Sequence, residues 1–401
     1  MRQSTEPQLR FPEFKDCFQK VRLGKVTLKV GSGSTPKGGA SSYVSEGIPL
    51  IRSQNVKDGY LDLTDTAKID FATHSKMKGS HVYSHDVLLN ITGASIGRSC
   101  IVPSSFVEGN VNQHVCIIRS KEELLHYRYL NQFLNSKYGQ RQIDISQAGG
   151  GREGLNFEAI KGFVLPVISH KEQQKIADFL TAVDSKISQL TEKHRLLKAY
   201  KKGVMQQLFS QKIRFKDDEG KAFPEWCVER IGKYLEPYKE LVSVDTKIPV
   251  LTSSRTGLYP QERAVINEGD YGVVPLGYFT YRHMSDDLVF KFNVNRLWDK
   301  GAVSKEYPVF KTVGMDSYFL ELQLNEGNDF KRFAIQQKQG GTRTRLYFKN
   351  LKELKLNLPS LKEQQKIAQC LQALDKKIDA VAEQIEQTKL FKKGLLQQMF
   401  V

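Results

Sequence analysis

The sequence predicts an α+β chain in which two globular domains are separated by a pair of long antiparallel helices, with a pseudo-twofold internal repeat relating its halves. Three observations predict it. The 38 residues from Glu172 to Phe209 recur 191 positions later with 19 identities and no gap. Both copies carry a seven-residue apolar rhythm, while the segments outside them hold short β-like runs broken by Gly, Asn and Asp. The length of 401 residues fits two or three domains rather than one, at about 150 residues each.

The helices come first. Lys171-Glu172-Gln173-Gln174-Lys175-Ile176-Ala177 returns as Lys362-Glu363-Gln364-Gln365-Lys366-Ile367-Ala368, and Lys201-Lys202-Gly203 returns as Lys392-Lys393-Gly394. The first seam runs through Ile176, Leu180, Val183, Ile187, Leu190, Leu197, Val204 and Leu208, with His194 and Lys201 filling its vacant steps. The second runs through Ile367, Leu371, Leu374, Ile378, Val381, Ile385, Leu395 and Met399, with Thr388 and Lys392 as exceptions. A heptad rhythm held this long marks a coiled-coil seam, because the apolar stripe of an ordinary surface helix drifts away from it. Ser169-x-x-Glu172 after Pro166 and Ser360-x-x-Glu363 after Pro359 predict capping boxes at both starts. Gly203 and Gly394 imply either a break or a close backbone approach, since each costs about 1 kcal/mol against Ala; the reading adopted is that the helices continue. Lys201 and Lys392 face either an acidic partner or the end of the other helix, and both alternatives stay open.

Chain geometry sets the orientation. A helix of about 39 residues is roughly 58 Å long, whereas the segment joining the two helices makes a domain with a radius of gyration of about 15 Å. Parallel helices would pull its ends too far apart, so the pair is expected to be antiparallel. The expected division is 1–168 for the first globular domain, 169–212 for the first spacer helix, 213–359 for the second domain and 360–401 for the second helix.

The repeat extends beyond the helices. Gly149-Gly150-Gly151-Arg152 matches Gly340-Gly341-Thr342-Arg343, and Phe11-Pro12-Glu13-Phe14 matches Phe223-Pro224-Glu225-Trp226. Arg22-Leu23-Gly24-Lys25 likewise matches Arg230-Ile231-Gly232-Lys233. The domain interiors do not match, which separates a retained scaffold from varied recognition surfaces.

Composition narrows the function. A net charge of +16 and a pI near 9.4 point to a polyanionic partner, with nucleic acid first. A hydrophobic content of 40% excludes a mainly disordered basic tail. No apolar run is long enough to span a membrane and Met1–Glu6 carries no secretion signal, so a cytoplasmic protein is expected. The five cysteines show no Cys-x-x-Cys pair and are read as reduced, buried thiols. Catalytic spacing is missing. Gly31-Ser32-Gly33-Ser34-Thr35-Pro36 puts Pro36 where a dinucleotide fingerprint needs glycine, no phosphate loop occurs, and His74, His81 and His85 form no metal motif. Asp217-x-Glu219-x-Lys221 reads as a solvated loop. The expectation is a noncatalytic reader with no metal and no cofactor of its own.

Base readout favours Arg for guanine and Asn or Gln for adenine. The first domain offers Arg52, Gln54, Asn55, Arg98, Asn112, Gln113 and Arg152; the second offers Ser253, Ser254, Arg255, Tyr278, Tyr281, Arg282, Arg343 and Arg345.

The paired Glu-Gln-Gln-Lys-Ile-Ala helix starts and Lys-Lys-Gly-x-x-Gln-Gln ends resemble the specificity subunit of type I restriction-modification enzymes. The resemblance spans nearly the whole chain. Gly33-Ser34-Thr35-Pro36, Gly47-Ile48-Pro49, Gly93-Ala94-Ser95-Ile96-Gly97-Arg98 and Val111-Asn112-Gln113 are similar to one type of target-recognition domain, although the family usually has Gly-Gly-Thr-Pro. Ser253-Ser254-Arg255-x-Gly257 and Gly301-x-Val303-Ser304 resemble another. The resemblance implies that each globular domain binds one half of a split double-stranded DNA target while the helices set the half-site spacing. Half-sites on one face lie about one turn, or 34 Å, apart, a phase that a stiff rod can hold. It further implies two modification subunits that methylate adenine with S-adenosylmethionine and motor-nuclease restriction subunits for cleavage. A stand-alone DNA-binding regulator and a coiled-coil assembly scaffold are the alternatives.

Overall fold

The structure, a computed structural model, describes residues 7–147, 154–243, 245–261, 269–338 and 343–400. The Gly149–Arg152 motif and Gly340–Thr342 lie outside the described residues. The chain divides into two compact units, one of residues 1–193 with 381–401 and the other of residues 194–380. The long helices span His170–Phe209 and Leu361–Met399, so each contributes residues to both units.

In the first unit an antiparallel sheet is ordered Thr27–Ser32, Val115–Ser120, Val87–Asn90, Ser99–Ile101. A second, mixed sheet is ordered Ala67–Ile69, Ile48–Ile51, Gly109–Val111, His81–Val82. The central strands read as unbroken apolar runs because both faces are buried. Val87, Leu89, Cys116 and Ile118 join the core under helix Tyr127–Leu134, while Leu88, Val115 and Ile117 join a second core with Ile51 and Val111. Period-two alternation sends neighbouring side chains to opposite faces.

The second unit pairs a four-stranded sheet, ordered Leu235–Pro237, Val309–Thr312, Phe279–Tyr281, Phe292–Val294, with a three-stranded one. Its core is aromatic: Phe279 stacks on Phe310 at 4.9 Å, and Phe292 meets Phe330 edge-on at 5.0 Å. Helix Ser317–Glu326, N-capped by Asp316, packs Phe319 and Leu320 into this core.

Within each unit the helix segments run antiparallel. In the first unit Ile176 and Leu180 share a core with Met399 and Phe400, and Lys392 reaches Asp184 at 2.7 Å. In the second, Met205 and Leu208 share a core with Ile367 and Leu371, and Lys201 reaches Asp375 at 2.6 Å. The two ion pairs are the same pair displaced by 191, and they resolve the alternatives for the seam lysines: each faces an aspartate of the other helix. Of the seam residues, Ile176, Leu180, Val183, Leu190, Ile367, Leu371, Ile378, Val381 and Ile385 are buried, while Ile187, Leu197 and Leu374 are half-buried.

The repeated polar residues form a clasp at each helix start. Glu172 has no solvent exposure and accepts from Arg10 Nε at 2.7 Å and Nη2 at 2.8 Å. Its counterpart Glu363, equally buried, accepts from Arg214 Nε at 3.1 Å and Nη2 at 2.9 Å, and from Trp226 Nε1 at 3.1 Å. Gln173 accepts from the His126 N–H and donates to the carbonyls of Leu124 and Ile168; Gln364 accepts from the Asp316 N–H and donates to Pro359. The expected capping boxes are corrected in part: Ser360 Oγ accepts from the Glu363 N–H at 3.4 Å, but neither Glu side chain turns back to its N-cap. Each Glu carboxylate is taken by a guanidinium fork, which offers two charge-assisted bonds where the N-cap amide offers one. The repeated Gly24 and Gly232 have a steric cause: a Cβ on Gly232 would lie 2.6 Å from the Lys352 carbonyl, and one on Gly24 3.0 Å from Lys161 Cβ.

Both helices continue through Gly203 and Gly394, as expected, and nothing lies within 4 Å of a Cβ built on either. Among the described residues, close approach to either glycine is excluded. Gly203→Ala and Gly394→Ala should each stabilise by up to about 1 kcal/mol, read as a rise in the thermal midpoint.

Candidate nucleic-acid interface

In the first unit, loops far apart in sequence meet at one end of the sheets. Ile51 pairs in parallel with Val111, so the loops after both strands leave side by side, and the Asn112 N–H donates to Ile51 O at 3.0 Å. The Gly33 N–H donates to Asn112 O at 3.2 Å, bringing in the loop through Thr35, whose hydroxyl donates to Gln113 Oε1. Buried Asn90 donates to Ser53 O and Ser95 Oγ, tying the Arg52–Asn55 loop to the Gly93–Arg98 turn. Gly93 at φ 74° and Gly97 at φ 87° supply the left-handed backbone that this turn needs.

The candidate side chains divide by exposure. Gln54, Arg98 and Gln113 are exposed, and Arg98 Nε lies 3.6 Å from Asp58. Arg52 is half-buried with its guanidinium 5.8 Å from the Tyr43 ring. Asn55 and Asn112 are corrections. Asn55 is 2% exposed, and its amide accepts from Arg52 N–H and donates to the carbonyls of Asp62 and Asp65. Asn112 is buried and accepts from the His114 N–H. Their amides build the loops instead of facing outward, because a buried amide left unbonded is costly. Arg152 lies outside the described residues.

In the second unit a cleft of about 490 Å³ gathers Ser253, Ser254, Arg255 and Arg282 with Asp286 and Lys291. Beside it runs a two-stranded ribbon in which Met284 pairs with Arg345 and Ser285 with Thr344. The ribbon is anchored inward: Thr344 and Ser285 are buried, Leu346 N–H donates to His283 O at 2.8 Å, and Tyr281 OH donates to Leu346 O at 3.1 Å. Arg343 and Arg345 are exposed, one on each side of Thr344. Arg343 Nε donates to Asp286 Oδ1 at 3.0 Å, and Arg255 grips Asp287 with both Nη groups at 2.8 and 2.6 Å. That grip holds the Asp287 carboxyl below the usual carboxylate range.

Two candidates here, Tyr281 and Ser253, are also corrected, while Tyr278 stays half-buried. Tyr281 is a fully buried core residue whose hydroxyl is pushed far above its ordinary pKa by desolvation. Ser253 is buried and accepts from Asn293, and Tyr278 is half-buried against Tyr238 at 5.1 Å. Asp286 and Asp287, which bond Arg343 and Arg255 respectively, escape sequence reasoning because an exposed acidic pair in a basic chain looks merely solvated; their closeness to those arginines is tertiary information.

Other chemistry is sparse. Cys100 and Cys116 are buried and pushed up to about 12 by desolvation, but Cys17 and Cys227 are exposed, against the expectation of buried thiols. Cys17 lies two residues before the strand Gln19–Arg22 and Cys227 opens the strand Cys227–Arg230; the cores are reached by their neighbours Phe18 and Trp226 instead. His74 stacks on His81 at 4.1 Å and bonds Asn110. Among the described residues no group of three or more His, Cys, Asp or Glu could hold a metal, and no helix is long and apolar enough to cross a membrane.

Comparison with known proteins follows the same lines. Residues 16–198 and 307–389 match the profile of the type I restriction modification DNA specificity domain. The chain is 31% identical over 133 residues to the type I restriction enzyme EcoBI specificity subunit of Escherichia coli, a match that covers 33% of this chain and 28% of that one. It is 23% identical to the putative type I restriction enzyme MjaX specificity subunit of Methanocaldococcus jannaschii, over 96% of this chain and 91% of that one. Its fold is similar to the type I restriction-modification S subunit of M. genitalium, with a TM-score of 0.60, 13% identity and 99% coverage of both chains. A chain from a structure of type I restriction-modification complex assembly aligns with a TM-score of 0.52 and 14% identity, covering 95% of this chain and 97% of that one.

Proposed function

The chain belongs to the family of type I restriction-modification DNA specificity domains, and on that premise we propose that it is the noncatalytic DNA-specificity subunit of such a complex in the cytoplasm. Each unit reads one half of a bipartite double-stranded DNA target, and the paired helices set the half-site spacing. The observation that carries this reading is the contrast between a duplicated frame and unlike outer loops. The Arg–Glu pair of the clasp and the seam ion pairs recur in both copies, while the first unit turns a Gln54–Arg98–Gln113 edge outward and the second an arginine-bearing ribbon. Unlike edges on one frame suit an asymmetric target.

Two modification subunits dock on the helices, hold S-adenosylmethionine and methylate adenine; restriction subunits add cleavage. Tyr200 and Phe391, 61% and 54% exposed, occupy equivalent positions of the repeat, as matching contacts for two copies of one partner would. Adenine methylation mapped by long reads in cells carrying this chain and its modification subunit should show one bipartite motif. The assembled complex should also lose DNA affinity steeply with salt, as phosphate contacts require. Unchanged methylation with salt-insensitive binding would leave only the scaffold role, and tight specific binding by the chain alone would favour a regulator.

A further inference from the structure

Resting on the specificity reading, we propose that Arg343 reads a guanine in the second half-site and that Asp286 is the positioning residue that aims it. The ladder pairs Met284 with Arg345 and Ser285 with Thr344 and ends there; Asp286 and Arg343 are the residues that follow it on each strand, and continuing its antiparallel register would set them side by side. The 3.0 Å ion pair between them joins the two strands just past the end of the ladder, so the ribbon brings both residues to the same place.

The atoms used decide what remains available. Asp286 takes Nε, so both Nη groups at the far end of Arg343 stay clear of that contact, and this end is the fork that matches O6 and N7 of guanine in the major groove. Arg255 is spent differently, because Asp287 engages both of its Nη groups and occupies the distal fork. Arg343 is 61% exposed, so the fork can reach a ligand, while buried Thr344 on the same strand fixes the backbone beneath it. A two-stranded ribbon is also a shape that the major groove admits. A carboxylate that holds the guanidinium by one edge lowers the entropy lost when the other edge binds.

The test uses the assembled complex of this chain with its modification subunits and a set of duplexes in which each target base pair is replaced in turn. In the unaltered complex, replacing one G·C pair of the second half-site should weaken binding about 10- to 100-fold. With Arg343→Lys, which keeps the charge but not the fork, that penalty should fall below about threefold while penalties in the first half-site persist. Asp286→Asn should reduce the same penalty, and only that one, by loosening the arginine. Equal weakening on every duplex would overturn the proposal and make Arg343 a phosphate contact, as would undiminished penalties throughout the second half-site. Absence of any sequence preference in the unaltered complex would instead defeat the specificity reading on which the proposal rests.

Discussion

Arg214→Ala should lower the stability of the second unit by about 3 kcal/mol, because it strands the Glu363 carboxylate in a site with no solvent exposure. For a unit of this size that is a fall of roughly 6–12 °C in the thermal midpoint of its transition. Arg10→Ala removes the equivalent fork from Glu172 and should cost more, since Trp226 still donates to Glu363 whereas the first arm carries Phe14 at the matching position. Arg214→Ala combined with Glu363→Gln should recover part of the loss, a neutral amide being cheaper to bury than an unpaired charge. Calorimetry of the three variants checks this; equal stability of Arg214→Ala and the parent would show that the clasp is not what holds the helix start.

Gly33→Ala should damage the first recognition edge more than any outward substitution there. A Cβ at this position would lie 1.7 Å from the Val111 carbonyl oxygen and 2.6 Å from Ser80 Cβ, so backbone must move. Forced overpacking costs about 1–3 kcal/mol. The displacement falls on the Gly33–Asn112 hydrogen bond that joins two of the converging loops. Binding of the assembled complex to duplexes with a scrambled first half-site should become indistinguishable from binding to the intact target, while scrambling the second half-site should still weaken it. Full discrimination in both halves would show that the loop pairing does not shape the edge.

The helices were legible because periodicity is a local property that a sequence carries openly. Ile176 through Leu190 announce a buried stripe whatever they pack on, and the 191-residue repeat announces it twice. The outward loops were legible only as places. Gly93 and Gly97 do sit in a turn, but whether Asn55 or Asn112 faces solvent depends on which carbonyls a folded neighbour brings within about 3 Å. Tyr281 failed for the same reason: an aromatic beside an arginine looks like a binding pair until the fold covers both faces of its strand.

What the sequence determined alone is the duplicated frame, two unlike inserts and a basic surface, since these follow from identity at fixed displacement, hydrophobic period and charge. Tertiary structure decided the partners. The seam lysines could not choose their aspartates, Glu172 and Glu363 their arginine forks, or Asp286 its arginine until backbone register brought distant segments together, because a hydrogen bond is a matter of ångströms that linear spacing does not encode.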